Sequence, residues 1–135
     1  MHIIVCVDET NGMMFNNRRQ SQDRILREKV IELCKDSRLL MNEYSARQFA
    51  DYSQIIVSND YLSLAGENDY CFIEDGILPP TEQIQSVVRF NWNRRYPSDV
   101  SFNFDLKQNG FKCQITEEFV GFSHEKITLE IFKKV

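Results

Sequence analysis

The chain opens with a run that is apolar on both faces, Ile3-Ile4-Val5-Cys6-Val7. Only a strand covered on both sides tolerates such a run, so residues 3–7 predict an interior strand. Asn11-Gly12 breaks it, and a polar loop carrying Arg18 and Arg19 leads into the first helix. There Leu26, Val30, Leu33 and Cys34 recur at helical spacing, Ile25 widens the stripe, and Arg24 and Glu28 form an i,i+4 pair on the wet side. Ser21 is the expected N-cap, and Asp23 lies in the first turn, where the helix dipole favours negative charge. The helix is expected to end near Lys35-Asp36.

Residues 38–42 then read as a second short strand. Ser45-Ala46-Arg47-Gln48 fits a capping box, with Tyr44 and Phe49 as its hydrophobic staple, and so predicts a short second helix. Ile55-Ile56-Val57 is a third apolar strand; Asn59-Asp60 opens a helical turn that Gly66 closes, and residues 70–73 form a fourth strand. Strands alternating with helices in this order imply parallel pairing and right-handed crossovers.

Beyond Asp75-Gly76 and Pro79-Pro80 the period changes. Thr81 is placed to cap a turn of helix carrying Ile84. Val88, Phe90 and Trp92 alternate with Arg89, Asn91 and Asn93, which predicts a strand with one apolar and one polar face. Val100, Phe102 and Phe104 alternate likewise; Phe111, Cys113 and Ile115 follow Asn109-Gly110, and Ile127, Leu129 and Ile131 close the chain. Strands this close together, with turns between them, pair antiparallel. The expected fold class is therefore α/β: a mixed, mainly parallel sheet with flanking helices and a C-terminal antiparallel hairpin, in one domain of 135 residues.

Composition narrows the function classes. A net charge of −4 argues against nucleic-acid binding through whole-surface charge and leaves room for a local basic patch. Cys6, Cys34, Cys71 and Cys113 form no C-x-x-C pair, and with two histidines the chain has no zinc-site pattern; no metal is expected. No apolar run approaches membrane-spanning length, and Met1-His2 leads directly into a strand without a signal-peptide pattern. The expectation is a cytoplasmic protein with no membrane partner.

The order of elements resembles dihydrofolate reductase. Asp8-Glu9-Thr10-Asn11-Gly12 after the first strand looks like that family's mobile active-site loop. Leu40-Met41-Asn42 and Ile55-Ile56-Val57-Ser58 look like its next strands. Tyr96-Pro97, Phe102, Glu117-Glu118-Phe119 and residues 127–132 are similar to its terminal hairpin. The resemblance implies a shortened reductase-like fold and puts Asp23 where the family's acidic substrate-binding residue would lie. Two departures bear on activity. The paired-glycine turn that receives the cofactor pyrophosphate has no counterpart, since Gly76, Gly110 and Gly121 are isolated, and Arg18-Arg19 stands where the family has Pro-Trp. A competent reductase, and a nicotinamide or any other cofactor, are therefore not expected. The chain also resembles a group of short bacterial proteins through Arg18-Arg19-Gln20-Ser21, Met41-Asn42, Tyr44-Ser45, Trp92-Asn93-Arg94, Tyr96-Pro97 and residues 123–128. These are often labelled ribonuclease Z. True ribonuclease Z resembles the metallo-β-lactamases and needs a clustered His-x-His-x-Asp-His metal site; His2 and His124 alone do not supply one, so that chemistry does not carry over.

These phrases nominate a site at the carboxyl ends of the parallel strands, where open α/β sheets bind ligands. Arg18, Arg19, Asn42 and Arg94 are expected to converge near the end of the first strand, with Trp92 or Tyr44 as a flat wall. Such a pocket suits a phosphate-bearing ligand, a nucleotide or RNA. The bland alternatives are solvated loop arginines, a core tryptophan, and a tyrosine spent on the staple. His124, Glu125 and Asp23 are the catalytic candidates for a metal-independent ribonuclease, against a surface-loop histidine, a neighbour pointing the other way and a helix-start aspartate. Ser21 and Ser45 have no histidine at a recognisable spacing, so a serine hydrolase has no support at this level. A protein-binding inhibitor or regulatory module without catalysis is the second functional class.

Overall fold

A computed structural model describes residues 1–135. Strand β1 (His2–Val7) lies at the centre of a seven-stranded sheet, as its two-faced apolar run requires. On one side it pairs in parallel with β6 (Tyr70–Phe72), beyond which lie β4 (Leu39–Met41) and β5 (Ile55–Val57), all parallel. On the other side it pairs in parallel with β7 (Ser86–Asn91). Antiparallel β10 (Ile127–Lys134) and β9 (Phe111–Phe119) complete that edge. The sheet is mixed and mainly parallel, with a C-terminal antiparallel hairpin. No helix is long and apolar enough to cross a membrane.

Alternation along β1 divides the core between the two faces. Ile3, Val5 and Val7 pack with Leu40, Cys71, Ile73, Val87 and Phe102. Ile4 faces the other way, with Leu26 and Val30 of α1 (Arg24–Leu33), Met41, Phe72, Val88, Phe90, Trp92 and Leu129. The expected alternation holds in β7: Val88, Phe90 and then Trp92 face α1, while Arg89 and Asn91 lie on the opposite face. Arg89 is half-buried there and paired with its cross-strand neighbour Glu130 at 2.9 Å.

Several local expectations are overturned. The polar loop after β1 is a hairpin, β2 (Gly12–Phe15) and β3 (Arg18–Arg19), joined by Asn16-Asn17 with φ of 51° and 60°. Two consecutive positive φ values make the two-residue turn that matches strand twist. With β8 (Val100–Ser101) this hairpin forms a second, three-stranded sheet. Residues 102 and 104 are therefore not strand: the chain leaves β8 after two residues, and Phe102 enters the core from coil. The cap of α1 is Asp23, not Ser21; its carboxylate accepts from the Ile25 and Leu26 N–H groups. Asn42, not Ser45, caps α2 (Glu43–Ala46), because the serine is buried and committed elsewhere. Helix α3 (Tyr61–Leu64) is capped by Ala65, one residue before Gly66.

Candidate functional site

The carboxyl ends of β1, β4, β6 and β7 present Asp8, Asn42, Glu74 and Trp92 to one edge of the sheet. The chain's own side chains fill much of that edge. Asp8 Oδ1 accepts from the Thr10 and Gly12 N–H groups, and its Oδ2 from the Tyr96 N–H at 3.0 Å. Burial disfavours this charge, but the hydrogen bonds from Tyr96, Gly12 and Thr10 outweigh it and leave the pKa below its ordinary value. Gln20 Nε2 reaches Asp8 Oδ2 and the Pro97 carbonyl, while its Oε1 is buried without a partner.

Two clusters flank this aspartate. In the first, Glu74 accepts from Arg19 Nε at 2.9 Å, Arg19 Nη2 at 3.1 Å and the Ser45 hydroxyl at 2.8 Å. The guanidinium lies 4.4 Å from the centre of the Tyr44 ring, whose hydroxyl accepts from the Arg19 N–H. Tyr44 is thus a wall for Arg19 rather than a staple on Phe49. Burial alone would lower the Arg19 pKa; Glu74 reverses this and raises it.

The second cluster is centred on His124, which is 4% exposed rather than out on a surface loop. Its ring stacks on Trp92 at 4.5 Å. Its Nδ1 lies 2.8 Å from Asp23 Oδ2, and its Nε2 lies 2.8 Å from Ser21 Oγ and 3.5 Å from the Tyr96 hydroxyl. Asp23 also accepts from the Phe122 and Ser123 N–H groups, each at 2.9 Å. This double duty, capping α1 and clamping the turn of residues 121–124, is why the sequence puts an aspartate at the helix start. Gly121 permits the close wrap: a Cβ there would stand 2.6 Å from Asp23 Oδ2. Burial raises the Asp23 pKa, but the Phe122 and Ser123 N–H groups, His124 and the Leu26 N–H more than offset it and hold the carboxyl far below the usual carboxylate range. An ionised Asp23 accepts only, so Nδ1 carries a proton, and in the neutral imidazole Nε2 is the atom that accepts from Ser21.

The structure brings Arg19 together with Tyr44, and Trp92 with His124 and Asp23; it does not gather all the nominated residues into one pocket. Arg18 and Arg19 line a cleft of about 470 Å³ with Phe15, Asn16, Gln20, Tyr96 and Pro97. Asn42 lines a different cavity, with Asn59, Tyr61 and Asp75. Arg94 is exposed and donates to the Ser123 carbonyl at 3.4 Å, which puts it beside the histidine cluster. Glu125 is exposed and takes no part in that cluster. None of the chain's ion pairs involves Arg18, Arg94 or Arg95. No three His, Cys, Asp or Glu side chains group as a metal would need.

Sequence reasoning missed Glu74, Ser21 as a partner of His124, and Tyr96. The Asn16-Asn17 pair flanked by Phe15 and Arg18 was a readable hairpin signal. The approach of Ser21 to His124, 103 residues apart, had no local signal.

The elements so arranged define a dihydrofolate reductase-like fold. The chain superposes on dihydrofolate reductase from Enterococcus faecalis, solved in complex with NADP(H) and RAB-propyl, with a TM-score of 0.65. Identity is 10%, and the match covers 98% of this chain and 94% of that one, so the likeness is one of fold. No family profile matches the sequence, and no curated protein does.

Proposed function

We propose that this protein binds a phosphate-bearing ligand, a nucleotide or a short RNA, in the cleft between the β2–β3 hairpin and Tyr96-Pro97, and that it is not a competent reductase. One observation carries the reading: Arg18 stands exposed on this cleft with no carboxylate partner, while Arg19 beside it is neutralised by Glu74. An unpaired guanidinium in a cleft that Phe15 and Tyr96 also line suits a phosphate linked to a planar base. Arg94, exposed on the loop leading to Tyr96, is the second candidate cation. Arg19 serves as wall with Tyr44 packed against it, Asn42 as helix cap and Trp92 as the floor under His124.

The Enterococcus enzyme was solved with NADP(H), and the residues here do not fit that group. Between β6 and β7 the chain forms only a three-residue 3-10 turn, Thr81–Gln83, so no helix N-terminus is available for a pyrophosphate. The glycine in this connection, Gly76, is single and sits against Val100, which a Cβ would meet at 2.8 Å. The four unpaired thiols support a cytoplasmic placement.

Calorimetric titration with a mononucleotide and with a short RNA, at low and at physiological salt, tests the reading. Saturable binding that weakens with salt is expected, and Arg18→Ala should weaken it roughly 10- to 100-fold, the worth of a charge-assisted hydrogen bond. Metal-independent cleavage of the RNA during the titration would make the protein a ribonuclease. Absence of saturable heat, or equal binding by Arg18→Ala, refutes the proposal. The second reading, a protein-binding module, would then lead, favoured by β9: a nine-residue edge strand whose exposed backbone can accept another strand.

A further inference from the structure

We propose that Ser21, His124 and Asp23 form a nucleophilic relay, and that Ser21 attacks the acyl carbon of a carboxylic ester. The inference goes beyond ligand binding in the cleft and does not depend on which anion binds there.

The geometry has the three parts that such a relay needs. Ser21 Oγ and His124 Nε2 are 2.8 Å apart, and His124 Nδ1 and Asp23 Oδ2 are also 2.8 Å apart. Exposure is graded in the useful order: Asp23 and His124 are buried and Ser21 is half-exposed. The imidazole is held on every side, by the Trp92 face, the Asp23 carboxylate and the neighbouring Ser123 hydroxyl, whose Oγ lies 3.3 Å from Nδ1. Asp23 is in turn fixed by backbone N–H groups from two separate segments, the start of α1 and the turn of residues 121–124. That is more anchoring than a helix cap needs, and it fixes the tautomer that leaves Nε2 as the base. Two donors lie near this relay and can meet charge on an acyl oxygen: the Tyr96 hydroxyl, 3.5 Å from Nε2, and the Arg94 guanidinium, which reaches the carbonyl of the adjacent Ser123.

The chemistry balances without a cofactor. As the Ser21 Oγ–carbon bond forms, the hydroxyl proton passes to His124 Nε2, and Asp23 meets the imidazolium charge. The carbon–oxygen bond to the alcohol then breaks, and that oxygen takes the proton from Nε2, leaving an O-acyl serine and a free alcohol. Water repeats the sequence in place of Ser21, giving the carboxylic acid and restoring the serine.

An alkyl fluorophosphonate tests this directly on the full-length protein. A phosphorus–oxygen bond forms at the activated serine, the phosphorus–fluorine bond breaks, and fluoride leaves with the serine proton. Peptide mass spectrometry should find the label on Ser21, absent from Ser21→Ala. His124→Gln should slow labelling about 100-fold or more, the usual worth of a positioned general base. Turnover of a p-nitrophenyl ester should fall in parallel. If His124→Gln does not fold, Ser21→Cys decides: the thiol at position 21 should be alkylated faster than exposed Cys113, which has no histidine beside it. Failure to label Ser21 in folded wild-type protein overturns the proposal. So does equal labelling in folded His124→Gln, or alkylation at position 21 no faster than at Cys113.

Discussion

Replacing Asp23 with Asn isolates the contribution of one oxygen. The amide keeps a carbonyl where Oδ1 accepts from Ile25 and Phe122, and puts an NH2 group where Oδ2 accepts from the Ser123 N–H and from His124. The Ser123 N–H, part-buried, then faces a donor instead of an acceptor, which costs about 1–3 kcal/mol. The bonds that remain on Oδ1 lose their charge assistance, roughly 1 kcal/mol each. His124 must also turn its proton from Nδ1 to Nε2, which removes the acceptor from Ser21. The expected loss is about 3–5 kcal/mol. A chain of 135 residues unfolds with an entropy of about 0.28 kcal/mol per kelvin, so the melting temperature should fall by roughly 10–18 °C. Circular dichroism or calorimetry reads that shift, and fluorophosphonate labelling of the folded variant reads the tautomer. A fall of less than about 3 °C would refute the claim that Asp23 clamps the turn of residues 121–124 to α1.

The same carboxylate sets the acid limit: its folded pKa lies below the unfolded value of about 3.9, so its contribution is complete above about pH 4 and is lost as pH falls towards the folded value. Urea midpoints should hold from pH 7 to 5 and drop below 4, with a shallower drop in Asp23→Asn. Gly121→Ala pushes a methyl against Asp23 Oδ2 and Ile127 without backbone strain; it should cost about 1–3 kcal/mol in a urea titration. Glu74→Ala leaves the Arg19 guanidinium without its carboxylate and the Ser45 hydroxyl without its acceptor, a loss of about 3–5 kcal/mol by the same assay. An effect under about 1 kcal/mol would mean that Arg19 finds water instead.

What the sequence determined alone is the sheet. A two-faced apolar run at residues 3–7 must be interior, period-2 alternation near the C terminus must be a hairpin, and strand–helix order sets parallel pairing. Those signals are local, carried by side chains within a few residues of one another. The arginines and His124 were visible as unusual chemistry in loops, yet their partners were not. Ser21 read as a cap because capping is decided within three residues; Asp23 displaced it because the turn of residues 121–124, a hundred residues on, supplies two more donors to the same carboxylate. Arg19 read as a ligand-binding cation, or blandly as a solvated one, because Glu74 comes 55 residues later; only the folded chain sets β3 beside the end of β6 and brings that carboxylate within 2.9 Å. Tertiary structure decided the site because hydrogen bonds and ion pairs act over about 3 Å, and proximity on that scale between distant residues is fixed by strand order, which no local pattern encodes.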